Sequence, residues 1–483
     1  MKKEKLLIFM LPLLLTGCAN GSNNNDKPQE KEDCYIKEDV TIDFLCMSNR
    51  NYYSLLHSIV DDFSKIEPHV KVNLKNPLGA GDYSMIEKTV ISGFFNEDYP
   101  DIVQCFPDHV VKYNAYNYVV KLDDYLNNEE YGLKEEKDDY IEEFLTEGSN
   151  YAFEGTYSLP FCKSTELLYY NADVLLGLDL STINLSINNG QPLDEKYLNY
   201  LTWEELFDVL CPALESYNNS LDEEHKIYKN TSNTGIVSYD SDENFFITLA
   251  HQYGYGYTSL DENGKGSIDF NNEGMKTLLK KFNTMKNKHY LQTGKTFDDY
   301  VSILFLNKES LFTISSTAGL SYNFDFKNPF ALGVGQIPRP EGKNNTLINQ
   351  GPSICILDHK DENRKLASYL FWKHLTNEKN ASSWAVQTGY MGIRNSSYTS
   401  EEYQKALSID ENASLYDKAV ADNLKMISEV SDSLFSTPPF RGSANARTSV
   451  GNLIKDCLLS TDIDNEIDEL FLAYELEAKS YVK

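Results

Sequence analysis

Short β-rich runs and helical stretches take turns along the first part of this 483-residue chain. "VTIDFLCM", Val40 to Met47, alternates apolar and polar residues, and "YYSLLHSIVDDFSKI" then carries apolar residues at helical spacing. "VKVNLKN" is a second strand pattern, followed by the helical "YSMIEKTVISGFF", and "DIVQCF" is a third. Strands separated by helices pair in parallel through right-handed crossovers, so the pattern predicts βαβ units and a largely parallel sheet. Helices follow, one opening at Thr202 and Glu205 with the Thr-x-x-Glu spacing of a capping box. Strand patterns return in "SLFTISS", "FALGVGQIP" and "PSICILD" before a helical tail. A chain of this length is too long for one small core, so two α/β lobes are expected.

The N-terminus reads as an export segment. Lys2, Lys3 and Lys5 precede "LLIFMLPLLL", an apolar run too short to span a bilayer. "LTGC", ending at Cys18, resembles the bacterial lipobox, whose cysteine is acylated and becomes the mature N-terminus. Residues 1–18 are then a lipoprotein signal peptide and 19–38, Asn-rich and polar, a flexible tether. Lys+Arg 44 against Asp+Glu 73, a net charge of −29, argues against nucleic acid as a partner. With Cys18 acylated, the other cysteines are odd in number and lack C-x-x-C spacing, so neither a disulfide framework nor a zinc site is expected; Cys46, Cys105, Cys162, Cys211 and Cys355 sit in apolar runs, as buried thiols do. Asp261, Asn263 and Gly266 imitate the start of a calcium loop, but Lys265 and Asn272 occupy ligand positions. No cofactor or metal is expected.

"LPFCKSTELLYYNADVL", Leu159 to Leu175, places Ser164, Thr165 and Glu166 inside a strand-like run. Each desolvated polar atom there costs roughly 1–3 kcal/mol unless it finds a partner. Together with "PDIVQ", "TWEEL", "GSIDFNNEG", "FALGVGQIPRP", "KLASYLFWKHLTN" and "QTGYMGIR", in this order, it resembles the extracellular solute-binding proteins of ABC importers, the maltose-binding-protein-like group. The resemblance covers nearly all of the mature chain. It implies a two-lobed α/β fold of the class II periplasmic-binding type, each lobe a mainly parallel sheet flanked by helices. The chain would cross between lobes at Leu159–Phe161, again near "FTISSTAG" and a third time near "FWKHLTN". The lobes would then be 39–160 plus 315–372 and 161–314 plus 373–483.

The crossing motif is similar to the glycerol-3-phosphate-binding branch, which implies Tyr83, Asp108, Ser164, Thr165, Ser315 or Ser316, Gly351 and Tyr390 around the ligand, with Arg447 or Arg441 on a phosphate. A sugar would instead use Tyr390, Trp384 and Tyr83 as platforms. Trp203 and Trp372 read as packing residues, as do Tyr169 and Tyr170, while the "YGYGY" tyrosines 253, 255 and 257 are candidates for the second lobe's wall. The expected protein is a lipid-anchored, monomeric, non-enzymatic subunit on the outer face of the cell membrane, which in a Gram-negative cell is the periplasm. It would capture a carbohydrate or glycerol-3-phosphate-type ligand by hinge closure and pass it to permease subunits. The rivals are a surface glycoside hydrolase, which needs two converging carboxylates that no motif marks, and an adhesin-like protein without transport.

Overall fold

The computed structural model describes residues 34–47, 52–77, 83–410 and 412–482. The signal segment, Cys18 and most of the tether lie outside the described residues. Residues 1–35 form a unit of their own, of which only Cys34 and Tyr35 are described, and everything below concerns the unit from Ile36 to Lys483.

The three leading runs form β1 (Val40–Leu45), β2 (Val70–Lys75) and β3 (Ile102–Cys105). β1 pairs in parallel with both neighbours, Val40 opposite Val70 and Phe44 opposite Ile102. The chain continues through β4 (Glu166–Asn171), β5 (Val237–Tyr239), the hairpin of β6 (Thr258–Leu260) and β7 (Gly266–Ile268), β8 (Leu291–Thr293), β9 (Phe312–Ser316) and β10 (Leu332–Gln336). β11 (Leu347–Ile348), β12 (Ser353–Ile356) and β13 (Leu434–Phe435) follow. Two sheets dominate, ordered β12-β3-β1-β2 and β10-β4-β9-β5-β8.

Parallel pairs make up most of the first sheet and half of the second, and each sheet also carries antiparallel pairs. β12 runs antiparallel to β3, and β4 is antiparallel to both β9 and β10. The antiparallel strands are those that bring the chain into a sheet from the other sheet or lie beside such a strand, where no βαβ crossover sets the direction. The crossing expected near residue 315 has no counterpart in the strand order: β9 and β10 both stay with β4, and the first sheet is rejoined only at β12. Ser315 and Ser316 end an interior strand, and Ser316 Oγ accepts the Ala318 N–H to start the helical turn Thr317–Tyr322. The chain also stays with the first sheet's helices past Trp372. Arg394 donates to Asp139 and Glu136, each at 3.2 Å, and lies over the Tyr140 ring.

Helical packing follows the sequence spacing. Helix Tyr53–Ile66 buries Leu56, Ile59 and Phe63, and Phe63 meets Phe371 of helix Glu362–Leu375 edge-on at 5.3 Å. Phe371 also reaches Phe44 on β1 at 5.8 Å. Each such buried ring contributes about 1.5–3 kcal/mol. The capping box forms as predicted: Glu205 N–H donates to Thr202 Oγ1 at 3.0 Å and Thr202 N–H to Glu205 Oε2 at 2.8 Å. Residues Glu205–Leu210 are π-helical, Cys211 N–H donating to Leu206 O. Cys46, Cys105, Cys162, Cys211, Cys355 and Cys457 are buried and in no disulfide. Asp261 closes the β6–β7 turn by accepting from the N–H groups of Asn263 and Lys265.

Candidate ligand cleft

Two chain segments join the sheets side by side. Leu159 and Ile354 exchange both backbone hydrogen bonds at 2.8 Å, Cys162 N–H donates to Pro352 O at 3.0 Å, and Ser164 and Gln350 exchange theirs at 2.8 and 3.0 Å. The result is an antiparallel crossing ribbon, braced by Trp372, whose indole N–H donates to Pro160 O at 3.0 Å. The polar part of the Leu159–Leu175 run lies in this ribbon. Ser164 is buried with its backbone paired to Gln350, and Thr165 Oγ1 donates to Ile348 O at 2.9 Å. The Thr165 hydroxyl thus serves the ribbon.

Gly351 shows how tight the ribbon is. Its φ of +92° is left-handed, and a Cβ there would stand 1.9 Å from the Cys162 carbonyl oxygen. Gly351→Ala is expected to cost about 1–3 kcal/mol from backbone conformation alone, with separation of the ribbon adding to it. A urea titration checks this through a lowered midpoint at unchanged slope.

A cavity of about 440 Å³ opens against the ribbon. Asp108 and Lys112 line it from the first sheet's side, Gln350 and Gly351 from the ribbon, and Tyr257, Glu243 and Arg447 from the second sheet's side. Pro107 opens helix Pro107–Asn114 and puts Asp108 in its first turn, where the positive helix end favours a carboxylate. Three of the cavity's carboxylates already have cations: Glu87 with Lys112 at 2.8 Å, Glu243 with Lys295 at 3.1 Å, and Glu147 with Lys163. Arg447, on helix Ser443–Leu459, differs. Among the described residues no carboxylate lies within 4.0 Å of it, and its Nη2 donates to the amide oxygen of Asn244. Asn244 in turn donates to Glu166 at 2.8 Å. Burial pushes the Glu166 carboxyl up to about 7, against the hydrogen bonds from Tyr239 and Asn244.

Of the residues expected from sequence, Asp108, Gly351 and Arg447 therefore share one cavity, and Tyr257 joins them. Arg441 is exposed and does not line it. Tyr83 begins helix Tyr83–Asn96, but its side chain lies outside the described residues. Trp384 is only 3% exposed, its ring 4.8 Å from Phe161 and 5.1 Å from Tyr52, with Tyr390 stacked at 6.5 Å. These aromatics belong to the neighbourhood of a second cavity of about 370 Å³, lined by Tyr52, Tyr322, Phe326, Gly389 and Tyr416. Trp203, buried with its N–H on Gln252, and Tyr169 and Tyr170 are core residues. Asn244, Gln350 and Glu147 were not marked by any motif, since an amide or acid in an otherwise ordinary helix or loop looks like surface.

The family described as bacterial extracellular solute-binding protein matches residues 58–409. The chain belongs to this family. Its members are substrate-binding subunits of ABC importers and are not enzymes. No curated protein matches the chain. Among solved structures, UgpB of Mycobacterium tuberculosis, in complex with glycerophosphocholine, superposes with a TM-score of 0.67 at 15% identity, covering 92% of this chain and 98% of UgpB. The GacH receptor of Streptomyces glaucescens, solved unliganded and with acarbose, gives 0.66 at 16% identity over 91% and 99%. Maltose-bound MalE3 of T. maritima gives 0.65 at 14% over 91% and 99%. The solute-binding protein thus has the two-lobed periplasmic-binding fold. Among its described residues no helix is long and apolar enough to cross a membrane.

Proposed function

We propose that this solute-binding protein captures a small phosphate-bearing polyol, of the glycerol-3-phosphate or glycerophosphodiester kind, in the cavity against the crossing ribbon. The observation that carries the reading is Arg447: a guanidinium at a cavity wall, held by a neutral amide and clear of carboxylates within 4.0 Å among the described residues. A phosphate fits a guanidinium fork, and Asp108 across the cavity is placed to accept from polyol hydroxyls. The glycerophosphocholine in UgpB supports the same chemistry. One lobe holds β1–β3 and β12, the other β4, β5 and β8–β10. A ligand touching both favours the closed state by its differential affinity, and an importer's permease reads that state. Cys18, acylated, would tether the protein to the outer face of the membrane as a monomer.

A second reading, a neutral oligosaccharide, is favoured by the Phe106 and Tyr257 side chains in the same cavity and by the acarbose and maltose of the GacH and MalE3 structures. A thermal-shift panel of glycerol-3-phosphate, glycerophosphodiesters, monosaccharides and oligosaccharides separates the two. A ligand at about 100 times its Kd adds about 2.7 kcal/mol to the folded state. The expected result is a shift with phosphate-bearing polyols that Arg447→Ala abolishes and Arg441→Ala leaves intact. A shift with sugars alone, indifferent to Arg447→Ala, overturns the phosphate reading.

A further inference from the structure

Arg447 is held from behind by one buried amide. Asn244 is 3% exposed, and Ser241 fixes its place by capping helix Asp242–Tyr253 through the Asn244 N–H. Its Nδ2 donates to Glu166 Oε1 at 2.8 Å and to Gln350 Oε1 at 2.5 Å, while its Oδ1 accepts from Arg447. Glu166, 1% exposed, takes the Tyr239 hydroxyl on its other oxygen at 2.5 Å. The polarity of this chain is forced. A guanidinium can only donate, so the amide must turn its oxygen to Arg447, which leaves its nitrogen to donate to Glu166 and Gln350. Gln350 lies in the crossing ribbon, so the same amide joins the ribbon to the residue that would face the anion.

We infer that Asn244 is the positioning residue for anion capture, oriented by Glu166, and that it aims Arg447 into the cavity while tying it to the crossing ribbon through Gln350. This rests on the phosphate reading, which it deepens. The ligand's charge would be met by an arginine that donates to a neutral amide, and that neutrality is what leaves the guanidinium's charge available to a phosphate. A carboxylate in place of the amide would neutralise Arg447 at no change of shape.

The test exchanges the two groups. In the pair Glu166→Gln with Asn244→Asp, the amide and the acid trade places, each still able to hydrogen-bond the other, so the fold is expected to keep its melting temperature within a few degrees. The acid now faces Arg447, and affinity for glycerol-3-phosphate, measured by calorimetry on the chain from residue 19 onward, is expected to fall at least tenfold. Asn244→Asp alone sets two acids against each other and should melt lower, a loss that Glu166→Gln rescues. If the double variant binds as tightly as the wild type, Asn244 does not set Arg447 and the inference is overturned. If the wild type itself binds no phosphate-bearing probe, the proposed function fails on its own account. The positioning role is then judged by a melting-temperature cycle of Asn244→Leu with Arg447→Met: shifts that fail to add support it, and additive shifts overturn it.

Discussion

Lys163→Ala should be among the most destabilising single substitutions in this protein, at about 3–5 kcal/mol, the range for removing one partner of a buried ion pair. Lys163 is fully buried in the crossing ribbon and its ammonium donates to Glu147 and, at 3.4 Å, to Gly351 O. Glu147 ends helix Glu142–Glu147 and also accepts from Asn349 at 3.2 Å and Ser353 at 3.0 Å. Both strands of the ribbon are thus fastened to one carboxylate. With the lysine gone, that carboxylate keeps only neutral donors in a nearly dry site. Urea unfolding at pH 7 measures the loss. Lys163→Met combined with Glu147→Gln removes both charges and leaves Ser353 and Asn349 an amide to bond, so the double variant should recover much of the stability. A double variant as weak as Lys163→Ala would show that packing around Lys163, and not its charge, holds the ribbon.

The order of strands and helices at the start of the chain was legible because each element there is amphipathic and its period shows directly. β1, β2, β3 and the capping box at Thr202 all fall where the spacing puts them. The lobe boundaries were less so. "FTISS" carries the same apolar run and hydroxyl-rich end as a crossing segment, and only its pairing with β4 and β5 makes it an interior strand. The true return to the first sheet, through Gly351, shows in the sequence as a single glycine. The cavity was legible where the family resemblance carried a residue over, as with Asp108, Gly351 and Arg447. It was illegible at Asn244 and Gln350, whose roles depend on partners more than 75 residues away along the chain. Thr165 illustrates the converse: a polar group in an apolar run does need a partner, and here the ribbon's own backbone supplies it.

Replacing Glu166 by glutamine should make the protein more stable above neutral pH and leave it little changed in acid. In the folded state burial raises the Glu166 carboxyl from 4.5 to about 7, with Asp240 adding to the rise and Tyr239, Asn244 and Arg447 opposing it. The folded state therefore holds a proton that the unfolded chain has released, and stability falls as pH rises wherever that is so. The contribution is fully present below pH 4.5 and lost by the time the pH has passed about 7. At about 1.4 kcal/mol per pH unit, the loss is on the order of 3 kcal/mol. The amide introduced by Glu166→Gln stays neutral throughout; its oxygen still accepts from Asn244 and its nitrogen can donate to the Tyr239 oxygen. Other buried acids, Asp242 at about 6 among them, titrate in the same direction, so the quantity to follow is the difference between wild type and variant at each pH. Urea unfolding at pH 5 and pH 8 gives that difference, expected near zero at the first and in favour of the variant at the second. A difference independent of pH would mean that Glu166 ionises as readily inside the fold as outside it, and that Tyr239, Asn244 and Arg447 together fully offset its burial.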